Sequence, residues 1–338
     1  MTDRLAPLSS SGRRWAIAAV IGAAFSWATT APIIVLILDR TEVDGVTLSL
    51  LRAGTACVVL WMFLLLRNRP ALRVRPGELP GLVGFGLWSI TMFYTAVTFG
   101  IAGTSASVSV SILYMAPALV VLGSAIWFGE RLTVPKIVAL ILSLCGVLLV
   151  ARVYDPSNLA GTPAGLAWIF LAAVAYAGYS LFGKQLLGKH SAPKVLAWYL
   201  LFGSLGLLVV KLFVSPRDWP PVGQLLLLCT ALGLLTTLIP TTLYLWSLTR
   251  IPTSEASIIS SMEEVFVVIM AWVVLGERLS PMQFLGAALI LVSVLLLNTA
   301  QAKSGKEELP ASVVGAGSLG LEDIAEAEPT SLPRQQPG

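Results

Sequence analysis

The 338-residue chain is 56% hydrophobic and only 12% charged, with a mean hydropathy of +0.84, whereas a soluble domain is about one quarter charged; most of it must therefore face lipid. The formal charge of +4 is spread over loops and forms no basic helix face, which excludes a nucleic-acid partner. The cysteines Cys57, Cys145 and Cys229 lie inside apolar stretches and the single histidine, His190, lies in a loop, so the sequence offers no disulfide framework, no metal site, no histidine chemistry and no cofactor motif.

Residues 1–14 form a short polar tail. Its Arg13-Arg14 pair reads as a positive flank of the first helix, because the apolar run that follows outlasts a signal sequence and nine more runs come after it. A spanning helix needs about 20 apolar residues. Ten stretches qualify: 15–38, 45–66, 80–99, 104–128, 134–151, 163–184, 193–213, 222–247, 253–275 and 280–299. No alternating ten-residue strands occur, so helices are left to satisfy the backbone in lipid. The expected fold is an all-α integral membrane protein of ten transmembrane helices. Residues 300–338 mix Pro, Gly, Ser and acidic residues and are expected to form a disordered tail.

The polar residues are unevenly shared. Span 1 carries Ser26, Trp27, Thr29 and Thr30. Span 3 carries Trp88, Ser89, Thr91, Tyr94 and Thr95, and span 4 carries Ser107, Ser109, Ser111 and Tyr114. Span 6 holds Tyr176, Tyr179 and Ser180. Span 8 holds Thr236, Thr237, Thr241, Thr242 and Tyr244, and span 9 holds Ser257, Ser260, Ser261, Glu263 and Glu264. Spans 5, 7 and 10 are aliphatic, which places them and span 2 on the lipid side of an inner set 1, 3, 4, 6, 8 and 9. Small hydroxylated residues also serve close helix packing, and that reading stays open for the serines. Pro117 and Pro240, inside spans 4 and 8, are expected to open the helical hydrogen-bond ladder.

Lysines and arginines number 16 on one side and five on the other when the N-terminus is placed inside, so both termini are expected in the cytoplasm of a cytoplasmic-membrane protein. A repeat then becomes visible. The segment Gly103 to Val150 returns as Pro252 to Leu297. Gly129-Glu130-Arg131-Leu132 recurs as Gly276-Glu277-Arg278-Leu279, 147 residues on, and Thr104-Ser105 recurs as Thr253-Ser254, 149 residues on. Five spans per repeat, 15–151 and 152–299, invert the second copy relative to the first. Inverted repeats of this kind place a substrate site at their interface.

Charges within the spans mark that site most sharply. Glu263 and Glu264 lie about 18–20 Å into span 9 at 1.5 Å per residue, near the midplane. A carboxylate there is a functional hypothesis by default, and both are proton-coupling candidates; a hydrogen-bonded structural pair is the alternative. Arg52, about 10 Å into span 2, is expected to be a structural charge that pairs with a span-9 glutamate, binds backbone carbonyls, or reaches outward. The candidate cavity residues are Trp27, Thr30, Tyr94, Tyr114, Tyr176, Tyr179, Thr241, Tyr244, Ser260 and Glu263.

The chain resembles the EamA-type proteins of the drug/metabolite transporter superfamily. The carriers of the resemblance are the paired five-span repeats with their GERL links, Ala175-Tyr176-Ala177-Gly178-Tyr179-Ser180, and the stretch from Leu243 to Leu297. The resemblance implies a secondary transporter of small metabolites, amino acids or related amphipathic compounds, commonly outward; an enzyme is not expected, because the spans hold no histidine, no Asp cluster, no phosphate loop and no nucleophile beside a base. Multidrug or nucleotide-precursor carriage is the alternative within transporters, and a non-transporting scaffold or sensor lies outside them. One departure stands out: where such proteins usually read Glu-Pro in span 9, this chain reads Glu263-Glu264.

Overall fold

A computed structural model describes residues 10–30, 33–34, 43–214, 230–275 and 279–307. The first residues of span 8, Cys229, the second GERL glutamate Glu277 and the tail beyond residue 307 fall outside the described residues. Among those described, every regular element is helical and no strand occurs.

The helices are α1 (Ser10–Ala28), α2 (Gly45–Arg67), α3 (Pro76–Gly103), α4a (Ala106–Leu113) and α4b (Ala116–Phe128), α5 (Val134–Val150), α6 (Pro163–Leu187), α7 (Ala192–Val214), α8 (Thr230–Leu248), α9a (Thr253–Ser260) and α9b (Met262–Leu275), and α10 (Pro281–Glu307). Seven segments are long and apolar enough to cross a membrane: α2, α3, most of α4, α6, α7, α8 and the apolar part of α10. The three remaining predicted spans correspond to α1, the 17-residue α5, and the two short pieces of α9. The chain is a multi-pass membrane protein.

Local chemistry sets the helix ends. Asp44 caps α2 by accepting from Val46 N (3.0 Å) and Thr47 N (2.9 Å), and Thr162 caps α6 by accepting from Gly165 N (3.1 Å). Burial pushes the Asp44 carboxyl up, but hydrogen bonds from Thr47 and Lys211 outweigh it and hold it below the usual carboxylate range. That cap is therefore complete at neutral pH and is lost only in acid. Gly129 ends α4b in the left-handed region, φ 65°, where a side chain is strained.

Among the described residues, the helical ladder is interrupted in four of the predicted spans. π-helical turns interrupt α3 at Leu87–Met92 and α8 at Leu234–Leu238; Leu234 lies 147 residues after Leu87. Predicted span 4 breaks at Tyr114-Met115 and predicted span 9 at Ser261, again 147 residues after Tyr114. Each π turn is preceded by a glycine against a neighbouring backbone. A Cβ on Gly86 would meet Tyr199 O at 2.8 Å, and one on Gly233 would meet Arg52 O at 2.7 Å. The partners, Arg52 and Tyr199, are themselves 147 residues apart.

The core follows from these approaches. α3 packs on α6 and α7, α1 on α8 and α9b, α2 on α7 and α8, and α4b on α6 and α9a. Gly146 of α5 and Gly286 of α10 cross at backbone contact, each Cβ position 2.6 Å from the other's carbonyl oxygen. Residues on α5 such as Val134, Ile137 and Ile141 are exposed, as a lipid-facing helix requires. α7 was expected on the lipid side as well. Its outer face is exposed at Val209 and Phe213, yet Gly203 and Gly206 admit Ile90 and Thr91 of α3, so it also closes the core.

Candidate functional site

The two broken helices explain how the acidic pair is held. Pro117 has no N–H to give the carbonyl of Leu113, so α4a ends there, Tyr114 and Met115 turn, and α4b restarts with Pro117 in its first turn. Span 9 lacks a proline at this place. It breaks after a serine-rich turn, and Glu263 and Glu264 occupy the first turn of α9b, where the helix dipole favours negative charge. Ser261-Met262-Glu263-Glu264 has the S-x-x-E spacing of a helix start, although no side-chain cap forms here. The Ser261 hydroxyl is buried without a hydrogen-bond partner among the described residues.

Tyr114, at the break of span 4, faces both carboxyl groups at the break of span 9. Glu264 is only 6% exposed, and Glu263 is half-buried. The 100° step between neighbours on a helix thus gives the two glutamates different surroundings, with Glu263 the more accessible. Tyr176 lies beside Ser260 and Glu263, and Tyr179 beside Thr241.

Aromatic rings connect the helices around this point. Trp27 packs on Tyr244 (5.5 Å between centroids), and Tyr244 stacks on Tyr179 (5.5 Å). Tyr244 also shares a 2.9 Å hydrogen bond with Ser180. Phe93 touches both Tyr94 (5.2 Å) and Tyr176 (5.7 Å). In the AYAGYS segment, Gly178 makes room for Trp88, whose indole nitrogen would lie 2.1 Å from a Cβ there. The Trp88 N–H and the Tyr179 hydroxyl are buried with no hydrogen-bond partner among the described residues. Buried aromatic donors ordinarily find partners; here the Trp88 N–H is turned against Gly178 and the Tyr179 hydroxyl lies beside Thr241. A cavity of about 310 Å³ opens at the break of span 4, bordered by Ser111, Tyr114, Leu144, Val147 and neighbours. Tyr114 alone of the expected cavity residues borders it. Thr30, just past α1, is half-buried and joins none of these contacts.

Arg52 takes the second of its three expected options. Pro240 cannot donate to the carbonyl of Thr236, and that carbonyl accepts from Arg52 Nη2 at 2.8 Å, while Arg52 Nε donates to Thr237 Oγ1 at 2.9 Å. The guanidinium also lies over the Tyr94 ring, 4.8 Å from its centroid. No ion pair joins it to Glu263 or Glu264.

A second polar cluster lies where α1 and α9a begin and α4b ends. Glu130 of the first GERL accepts from Thr253 N at 2.8 Å and from the Ser254 hydroxyl, so it caps α9a from the other half of the chain. Lys136 lies 3.4 Å from the same carboxylate. Glu255, fully buried, pairs with Arg13. Sequence reasoning passed over Glu255, although a carboxylate inside an apolar run and an arginine ahead of span 1 carry that signal. Glu130→Ala is expected to cost about 1–2 kcal/mol of thermal stability in detergent, as loss of a helix cap does, with Glu130→Gln less damaging. No loss in the alanine variant would remove Glu130's capping role.

Two broken apolar helices that face one another, Tyr114 on one and the Glu263-Glu264 pair on the other, fit a membrane transporter. The chain matches the EamA-like transporter family over residues 14–152 and 163–299, and it belongs to that family. A probable terminal-alkyne amino-acid exporter of Streptantibioticus cattleyicolor is 25% identical over 84% of this chain and 93% of its own length. A riboflavin transporter of Vibrio cholerae is 25% identical over 67% of this chain and 71% of its own. An uncharacterized transporter of Archaeoglobus fulgidus is 28% identical over 40% of this chain, and the match spans 47% of that protein. A solved crystal structure, 18% identical, superimposes with a TM-score of 0.74 over 85% of this chain and 98% of that one, which establishes the fold.

Proposed function

We propose that this protein exports amino acids or related amphipathic metabolites across the cytoplasmic membrane by alternating access. Ten spans form two inverted five-helix repeats, 15–151 and 152–299, with both termini in the cytoplasm; α1 already begins at Ser10 and α10 runs on to Glu307. The observation that carries this reading is the facing of the two helix breaks, with Tyr114 on one side and Glu263-Glu264 on the other. The recurrence of both helix breaks and both π turns at one offset of 147 supports the repeat. The name of the Streptantibioticus relative supports the direction and the substrate class.

Glu263 is the accessible acid. A carboxylate that holds either a proton or a substrate ammonium makes the two exchange, and so couples export to proton entry. Tyrosine and tryptophan rings supply apolar faces, and Ser260, Thr241 and Tyr179 supply hydroxyls that orient the ligand. The test is counterflow of labelled neutral amino acids in proteoliposomes, with and without an imposed pH gradient. Saturable exchange stimulated by the gradient is expected. Absence of amino-acid flux, with riboflavin or another flat heterocycle carried instead, overturns the substrate class. That second reading draws on the Vibrio relative and on the stacked Tyr179–Tyr244 pair.

A further inference from the structure

We propose that Arg52 is the carboxylate-binding group of a zwitterion site whose ammonium end is Glu263, which makes the substrate an α-amino acid with both charges free. This rests on the amino-acid reading above and assigns Arg52 a role beyond structure. Arg52 is only 8% exposed, yet two of its nitrogens are spent on Thr236 and Thr237 and Nη1 has no protein partner among the described residues. A chain of ring contacts leads from the guanidinium to Tyr176, beside which Glu263 lies, and no ion pair joins Glu263 to Arg52. A buried arginine and a partly buried glutamate that do not pair each leave a charge for a ligand to complement. A zwitterion lying between them supplies both. Between them Tyr94, under the guanidinium, contacts Phe93, which contacts Tyr176 beside Glu263, giving the ligand an aromatic wall.

The fold does not ask for a charge at position 52. The residue 147 places on is Tyr199, whose backbone carbonyl meets Gly86 as that of Arg52 meets Gly233, and the equivalent position carries a neutral side chain. The carbonyl that Pro240 leaves free needs one donor, which a neutral amide provides. Each charge therefore occurs in one copy of the repeat only: Arg52 against Tyr199, and Glu263-Glu264 against Ala116-Pro117. Preorganisation by Thr236 and Thr237 fixes the guanidinium, so little is lost when it accepts a carboxylate.

The experiment measures binding to the full-length purified protein of L-phenylalanine, L-phenylalaninol and 2-phenylethylamine, which keep the ammonium, and of 3-phenylpropionate, which keeps only the carboxylate. Wild type is expected to prefer phenylalanine to phenylalaninol and phenylethylamine by about tenfold or more, the worth of a charge-assisted hydrogen bond. Arg52→Gln should abolish that preference while holding phenylethylamine affinity within about twofold, and Arg52→Lys should retain part of it. Equal weakening of phenylalanine and phenylethylamine by Arg52→Gln would mean a purely structural arginine and overturn the proposal. Should Arg52→Gln not fold, the wild-type series decides: amino-acid binding indifferent to the carboxylate overturns the Arg52 role alone. Binding of none of the four compounds overturns it together with the amino-acid reading.

Discussion

Gly86→Val and Gly233→Val are each expected to destabilise the purified protein by about 3 kcal/mol or more, while Gly84→Val is neutral or slightly stabilising. At position 86 the added Cβ meets Tyr199 O at 2.8 Å and Gly203 N at 2.9 Å, both backbone atoms that have nowhere to go. At position 233 it meets Arg52 O at 2.7 Å and the Thr55 hydroxyl at 2.0 Å. Overpacking a close helix contact costs about 1–3 kcal/mol or somewhat more, and here a β-branched residue forces two helices apart. Gly84 has open space where its Cβ would stand, and relief of a helical glycine contributes about 0.5–1 kcal/mol. The comparison is a test of the repeat itself. Positions 86 and 233 are 147 apart, and so are Arg52 and Tyr199. A twofold-related frame requires both valines to be damaging to a similar degree, read as thermal unfolding midpoints in one detergent. One damaging and one harmless substitution would show that the two contacts are unrelated.

The fold was readable from sequence to the extent that physics in lipid leaves few options. Seven of the predicted spans meet the length and apolarity needed to cross, and Pro117 marks a break in span 4 that the backbone makes. Three things were hidden for identifiable reasons. The break in span 9 has no proline, and its S-x-x-E signature lies within a serine run that reads equally well as helix packing. The π turns depend on which neighbour approaches Gly86 and Gly233, a tertiary fact without a local pattern. The fate of Arg52 depends on the carbonyl freed by Pro240, 188 residues away in the chain, so both residues were visible and their relation was not. The aromatic candidates fared unevenly for the same reason. Trp27, Tyr179 and Tyr244 join one ring cluster, whereas Thr30, a half-buried residue just past α1, joins none of its contacts.

On the proposed exchange of a proton for a substrate ammonium, Glu263→Gln is expected to lower transport about 10- to 100-fold and to flatten its dependence on the pH gradient. A hydrogen bond to a charged group contributes about 1.5–3 kcal/mol, and the glutamine keeps the shape while removing both the charge and the exchangeable proton. Glu264→Gln separates position from chemistry. Glu264 is 6% exposed and shares Tyr114 with Glu263, so its amide should act mainly through stability and through the orientation of that tyrosine. Its pH profile should keep its shape while the rate falls by a smaller factor. Tyr114→Phe supplies the third measurement, because it removes the hydroxyl that both carboxyls face and leaves the helix break in place. If Glu263→Gln transports at the wild-type rate with the wild-type pH profile, neither proton nor ammonium resides there. A flat profile in Glu264→Gln with Glu263→Gln unchanged would transfer the coupling role to the residue that stands where the first copy carries Pro117, and that difference between the copies would itself be the coupling device.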